Sequence, residues 1–142
     1  LLADFVPEGV DSIVLPTGTG TTLAGLLASG LKDVHLVGVS TVNAANYPES
    51  SIRQLLHDGG YDSQLEWEIW HDYTFGGFGK HPKVLRDFCA EFMQDTKLPI
   101  EPVYTGKMLF ALHDQLAKHA FAPGSRILLV HTGGLQYLPG VD

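Results

Sequence analysis

The feature that most constrains this chain is a short apolar run followed by a loop rich in glycine and threonine. The apolar run spans residues 13–15, the loop spans 16–22, and a segment with helical spacing of apolar residues covers 21–29. Glycines in such a loop let backbone N–H groups approach an anion, and the start of the helix adds its partial positive charge. The sequence therefore predicts a buried strand, a phosphate-binding loop and a helix.

The residue types in the loop indicate which kind of phosphate group it can bind. The loop has four threonines and no lysine or arginine, which suits one phosphate monoester held by neutral donors. A Walker loop needs a lysine where Thr21 stands, and the dinucleotide fingerprint needs a third glycine where Leu23 stands. The alternative is that the threonines only cap the helix. We favour phosphate binding because a cap needs a single hydroxyl.

Strand and helix patterns alternate along the whole chain. Strands are expected at 13–15, 34–39, 65–70 and 126–131, and helices at 21–29, near 50–57, from Pro82 onward, and at 106–118. This alternation predicts an α/β fold with a mostly parallel, three-layer sheet, and residues 1–142 are expected to form a single domain. Ligands of such sheets bind at the carboxyl ends of strands, so the loops beginning at Thr17 and Thr132 are expected to face one crevice.

Composition excludes several classes of function. The 142 residues carry a formal net charge of −7 with scattered basic residues, which argues against nucleic acid as a partner. The sequence has no apolar run of membrane-spanning length, and the seven histidines show no metal-ligand spacing. The single cysteine, Cys89, favours a reducing, cytoplasmic location. The opening Leu1-Leu2, without a methionine, suggests a piece of a longer protein.

Three blocks of the sequence, in this order, carry a resemblance to a known family. They are 17–25, the segment 101–107 (Glu-Pro-Val-Tyr-Thr-Gly-Lys), and 127–135 (Ile-Leu-Leu-Val-His-Thr-Gly-Gly-Leu). Together they resemble the 1-aminocyclopropane-1-carboxylate deaminase and D-cysteine desulfhydrase family, pyridoxal-phosphate enzymes of the tryptophan-synthase β-like fold. The resemblance implies that this chain is the C-terminal part of the large, cofactor-binding domain of such an enzyme.

The resemblance also implies roles for individual residues. Thr19, Gly20, Thr21 and Thr22 fall where the family holds the phosphate of pyridoxal phosphate. Tyr104 falls on a catalytic tyrosine beside the cofactor, and Thr132 falls where the desulfhydrases place a hydroxyl against the pyridine nitrogen. Thr105 also matches the desulfhydrases, since the deaminases have a glutamate there. The implied partners are a small amino-acid substrate and, in the full-length enzyme, a second copy of the chain.

Two departures from the family pattern bear on activity. Phe78 stands where the family has a second active-site tyrosine. The family's Schiff-base lysine and its small domain lie before the Gly/Thr loop, so this chain alone is expected to lack that lysine and to be inactive. Lys80 and Lys107 are the lysines near matched motifs, and we interpret them as a solvated loop residue and a structural residue.

Two other functions remain open at this point. The pattern Thr17-x-Thr19-Gly20-x-Thr22 resembles the FMN-phosphate loop of flavodoxins, and the length and acidity of the chain suit an electron carrier. A flavodoxin is not expected to carry the blocks around Tyr104 and Thr132. The third possibility is a phosphate-binding domain without catalytic activity.

Overall fold

A computed structural model describes residues 2–138, which form a four-stranded parallel sheet with helices on both faces. The strands are β1 (Ser12–Thr17), β2 (His35–Ser40), β3 (Trp67–Trp70) and β4 (Ile127–Leu129), and the helices are α1 (Thr21–Leu27), α2 (Tyr47–Gly59), α3 (Lys83–Thr96) and α4 (Thr105–Ala117). The α/β fold with a parallel sheet is thus confirmed. No helix within 2–138 is long and apolar enough to cross a membrane.

The sheet separates two apolar cores. Side chains alternate across a strand, so Ile13 and Leu15 of β1 enter one core and Val14 enters the other. Helices α1 and α2 pack on one face of the sheet and supply Leu23 and Ile52 to the first core. Helices α3 and α4 pack on the other face and complete the second core. The result is the expected three-layer arrangement.

The strand order explains where a crevice opens. The order is β3-β2-β1-β4, so the direction of winding reverses between β1 and β4. Pairing of β1 with β4 ends where the Val130 N–H donates to the Val14 carbonyl at 3.0 Å. Pro16 lies two residues further on and has no N–H to satisfy on that side. The two strands therefore part at the switch point, where open α/β sheets bind ligands.

Several elements differ in extent from the sequence-based expectation. The strand expected at 126–131 is limited to Ile127–Leu129, because β4 pairs only with β1 among the described strands and leaves it after three paired residues. The strand expected from residue 65 begins at Trp67. Helix α2 begins at Tyr47 rather than near residue 50, since Pro48 is well tolerated in a first turn.

A buried lysine joins the loops at the carboxyl end of the sheet. The Lys107 side chain, in the first turn of α4, is fully buried. Its ammonium donates to the carbonyls of Thr74 and Gly77, both at 2.8 Å, and to that of Thr41 at 3.4 Å. Burial lowers the pKa of Lys107 to about 8, while the nearby Glu101 carboxylate acts in the opposite direction. Lys107 thus has the structural role that its sequence context indicates.

We expect Lys107→Met to lower the free energy of unfolding by about 2–4 kcal/mol, because it removes the hydrogen bonds that join the carbonyls of Thr41, Thr74 and Gly77 to α4. Chemical unfolding measures this effect. Lys80→Met is the matched control, since Lys80 is an exposed lysine near the same loop and its loss is expected to cost below about 0.5 kcal/mol. Equal stability of the two variants would contradict the role given to Lys107.

The β4 edge of the sheet exposes apolar surface on both faces. One apolar cleft of about 480 Å³ lies beside β4 and is lined by Leu98, Ile100 and Leu129 among others. A second cleft, of about 230 Å³, lies on the opposite face and includes Phe5 and Leu128. Since Phe5 is 80% exposed and Leu98 58% exposed, this edge leaves apolar side chains in contact with water, where they favour association with other chains.

We expect residues 1–142, expressed alone, to self-associate through this edge as protein concentration rises. Analytical ultracentrifugation of Phe5→Ser and Leu98→Ser should show weaker association, because each removes apolar area from the edge. Val84→Ser is the control, since Val84 is 55% exposed but lies on α3. A wild-type chain that stays monomeric at every concentration would disprove this expectation.

Candidate functional site

A cleft of about 560 Å³ opens at the carboxyl ends of the strands. Its lining comes from the loops after β1, β2 and β4, the glycine-rich segment after β3, and the starts of α2 and α4. The lining residues are Pro16, Gly18, Thr19, Thr22, Val42, Tyr47, Phe78, Tyr104, Thr132, Gly134 and Gln136. The structure therefore brings the two loops that begin near Thr17 and Thr132 to one cavity, although they lie far apart in sequence.

The Gly/Thr loop forms one wall of the cleft at the start of α1. Gly20 is the residue before the helix and has φ +84°, a left-handed conformation that favours glycine. A Cβ at Gly20 would lie 2.5 Å from Cγ1 of Ile52, so α2 packs directly against the loop. Gly20 also has no side chain to cap the helix, which leaves the N–H groups of the first turn for another acceptor.

The four residues predicted to bind phosphate do not all face the cleft. Thr19 and Thr22 line the cleft. The hydroxyl of Thr21 lies 3.0 Å from that of Thr19, and the Thr21 side chain lines a separate shallow groove between α1 and α2. Gly20 is buried and contributes its backbone alone. Two hydroxyls and the helix N-terminus therefore face the cavity, and Thr21 reaches it through Thr19.

Aromatic rings form a second wall. The rings of Phe78 and Tyr104 meet edge to face, with centroids 5.7 Å apart and an interplanar angle of 62°. Phe78 follows Gly77, whose carbonyl is held by the Lys107 ammonium. Tyr104 immediately precedes α4. Phe78 is held through the Lys107 ammonium and Tyr104 through its place before α4, so both rings are anchored at the start of that helix.

The loop after β4 completes the cleft, and His131 shapes it. The Gly133 N–H donates to Nδ1 of His131 at 3.1 Å, and Nε2 of His131 donates to the Pro99 carbonyl at 3.0 Å. This pair of bonds requires the neutral imidazole with its proton on Nε2. Thr132 then lines the cleft, whereas the Thr105 hydroxyl turns away from it and donates to the Gly133 carbonyl at 3.5 Å.

The cleft suits a phosphate monoester that carries a flat ring. Among residues 2–138 no charged side chain lines it, so backbone N–H groups and hydroxyls are the donors for an anion. The aromatic wall of Phe78 and Tyr104 offers a surface for a planar group, and Thr132 supplies a hydroxyl. Within residues 2–138 no three His, Cys, Asp or Glu side chains are grouped to hold a metal ion.

Three lining residues were missed by the sequence analysis: Val42, Tyr47 and Gln136. Val42 comes two residues after the end of β2, so the rule about the carboxyl ends of strands would have found it. Tyr47 starts α2, which reaches the cleft because Gly20 lets that helix approach. No local pattern in the sequence marks Tyr47 or Gln136.

Known proteins of similar sequence match about nine tenths of this chain. A Pyrococcus horikoshii protein provisionally named 1-aminocyclopropane-1-carboxylate deaminase is 32% identical over 134 residues, which are 89% of this chain and 40% of that protein. D-cysteine desulfhydrase of Salmonella schwarzengrund is 28% identical over 138 residues, 92% of this chain and 42% of that enzyme. The chain therefore spans about two fifths of the length of these relatives.

The fold has a solved counterpart as well. A crystal structure of an ACC deaminase homologue matches 96% of this chain and 43% of its own chain, with a TM-score of 0.79 and 28% identity. The flavodoxin-like alternative is not supported, because flavodoxins place β1 between β2 and β3, whereas here β1 lies between β2 and β4. Residues 2–133 match the family described as pyridoxal-phosphate dependent enzymes, and the chain belongs to that family.

Proposed function

We propose that this chain forms the cofactor-binding wall of a pyridoxal-phosphate dependent lyase or deaminase that acts on a small amino acid. The observation that carries the proposal is the single cleft in which the start of α1, Tyr104 and Thr132 meet. A phosphate loop, an aromatic wall and a neutral hydroxyl are the groups needed for a phosphorylated pyridine. The names of the relatives support the substrate class.

The phosphate would be held by the residues at the start of α1. The hydroxyls of Thr19 and Thr22 and the uncapped N–H groups of the first turn are its donors. The described part of the chain puts no lysine or arginine in the lining, which suits one dianion bound by several neutral groups.

The ring would lie against Phe78 and Tyr104, with Thr132 toward its nitrogen. Pyridoxal phosphate, when bound, supplies an electron sink that stabilises negative charge at the α-carbon of an amino acid. A neutral Thr132 hydroxyl cannot hold a proton on the ring nitrogen as a carboxylate can. The weaker sink that results favours elimination of a β-substituent over reactions that need a long-lived carbanion.

Tyr104 is the residue we propose to move a proton on the substrate. It lines the cleft next to Phe78, which packs against it and has no hydroxyl to offer. At this wall Tyr104 is the phenol, because Phe78 cannot transfer a proton, whereas the other lining phenol, Tyr47, lies at the start of α2. Together with Thr105, this supports loss of a β-thiol, as in the desulfhydrases, over opening of a cyclopropane ring.

We further propose that the lysine bearing the cofactor lies outside residues 1–142, together with the small domain. Within residues 2–138 no lysine lines the cleft, and Lys107 is engaged by three carbonyls. The full-length enzyme is proposed to be a homodimer in the cytoplasm, a location that suits the free, buried thiol of Cys89.

The phosphate role of Thr22 can be measured in the full-length protein. Thr22→Val removes one hydroxyl donor from a charged ligand, and we expect affinity for pyridoxal phosphate to fall by about 1–3 kcal/mol in titration calorimetry. Thr96→Val is the control, because Thr96 is an exposed threonine on α3. Unchanged affinity in Thr22→Val would rule out this loop as the phosphate site.

The position of the cofactor-bearing lysine can be found by borohydride reduction and peptide mass analysis. We expect a pyridoxyl group on a lysine of the full-length protein beyond residues 1–142, and none on residues 1–142 expressed alone, since the chemistry needs an amine poised at the aldehyde. A pyridoxyl group on Lys80 or Lys107 would show that the lysine has been placed wrongly.

A further inference from the structure

The carboxylate of Glu101 is fully buried and bonded to backbone N–H groups alone. One oxygen accepts from the Val103 N–H at 2.5 Å, and the other from the Thr105 N–H at 2.7 Å. The Tyr104 N–H lies 3.0 Å from both oxygens. Glu101 therefore holds three consecutive backbone groups, with Tyr104 at their centre.

This carboxylate takes the place of a helix cap. Tyr104 precedes α4 and its side chain makes no cap hydrogen bond. Glu101 reaches forward instead and satisfies N–H groups that the helix leaves open. A negative charge is favourable at the start of a helix, which offsets part of the cost of burying it. The position of Tyr104 is consequently fixed through its own backbone N–H.

The same side chain also touches the loop after β4. A Cβ on Gly134 would lie 3.0 Å from Oε1 of Glu101, 3.1 Å from Cδ and 3.2 Å from Cγ. Gly134 has φ +86°, so a glycine is favoured there by conformation as well as by space. Gly134 lines the cleft, two residues after Thr132. The Thr132 loop thus rests directly on the Glu101 side chain.

We propose that Glu101 is a positioning residue that sets the spacing between Tyr104 and Thr132 across the cofactor cleft. This inference rests on the proposed function, because the spacing matters only if both residues act on one bound ring. Glu101 lies beneath both loops and is absent from the cleft lining, so it acts through them. The phosphate loop comes from another part of the sheet and does not contact Glu101 in any of these bonds.

A simple helix-capping role makes a different prediction. If Glu101 only stabilised α4, its loss would lower stability and would affect all ligands of the folded protein alike. If it spaces the two loops, its loss should weaken contacts to the ring and spare contacts to the phosphate. Inorganic phosphate and pyridoxal phosphate therefore separate the two roles, because inorganic phosphate has no ring.

The experiment compares Glu101→Gln, Glu101→Asp and wild type in the full-length protein, with both ligands measured by titration calorimetry. Glutamine keeps one acceptor oxygen and turns an NH₂ group toward backbone donors, so we expect pyridoxal phosphate affinity to fall roughly tenfold to hundredfold. Affinity for inorganic phosphate should stay within about twofold. Aspartate keeps the carboxylate with a shorter reach, and its loss of pyridoxal phosphate affinity should be smaller.

Leu85→Ala serves as the control for stability. Leu85 is fully buried on α3 and does not line the cleft, so it should lower the free energy of unfolding and leave both affinities unchanged. Wild-type affinity of Glu101→Gln for pyridoxal phosphate, or an equal loss for both ligands, would overturn the inference. If Glu101→Gln does not fold, the same two outcomes in Glu101→Asp decide it. A wild-type protein that binds inorganic phosphate but not pyridoxal phosphate would instead contradict the proposed function, and the inference with it.

Discussion

The ammonium of Lys107 and the carbonyls around it tie the cleft to the rest of the fold. Those carbonyls belong to Thr41, after β2, and to Thr74 and Gly77, in the segment after β3. That segment lies outside the helices and strands, and its own backbone bonds are two turns, from the Gly77 N–H to the Thr74 carbonyl and from the Lys80 N–H to the Gly77 carbonyl, so Lys107 supplies its link to α4. Phe78 follows directly, and its place against Tyr104 depends on this lysine.

Two buried charges of opposite sign thus organise one end of α4. Lys107 uses main-chain carbonyls and Glu101 uses main-chain N–H groups, so each charge is satisfied by loops that border the cleft. Burying such groups is costly unless their hydrogen bonds are made, and here they are made to backbone. The charges stay beneath the loops, and among the described residues neutral donors line the cavity, which is compatible with the proposed binding of a phosphate at the start of α1.

Local sequence was enough to predict the layers of the fold and most of the residues that line the cleft. The apolar run, the Gly/Thr loop and the apolar face of α1 are neighbours in sequence, and the strand-end rule placed Thr132 opposite them. Strand order was beyond this kind of reasoning, since pairing of β1 with β4 joins Ser12 to Ile127. The sequence pattern did not indicate Tyr47, because this residue reaches the cleft only when α2 packs on Gly20. The bonds of Lys107 to Thr41, 66 residues away, likewise have no local signal.

In the proposed function, one ligand spans the start of α1, the Tyr104 wall and the Thr132 loop. A crystal structure of the full-length protein with pyridoxal phosphate measures this most directly. We expect the phosphate among the N–H groups and hydroxyls of residues 19–22, and the ring between Phe78 and the Thr132 loop. A cofactor whose phosphate lies away from residues 19–22, or whose ring touches neither Tyr104 nor Thr132, would contradict the claim.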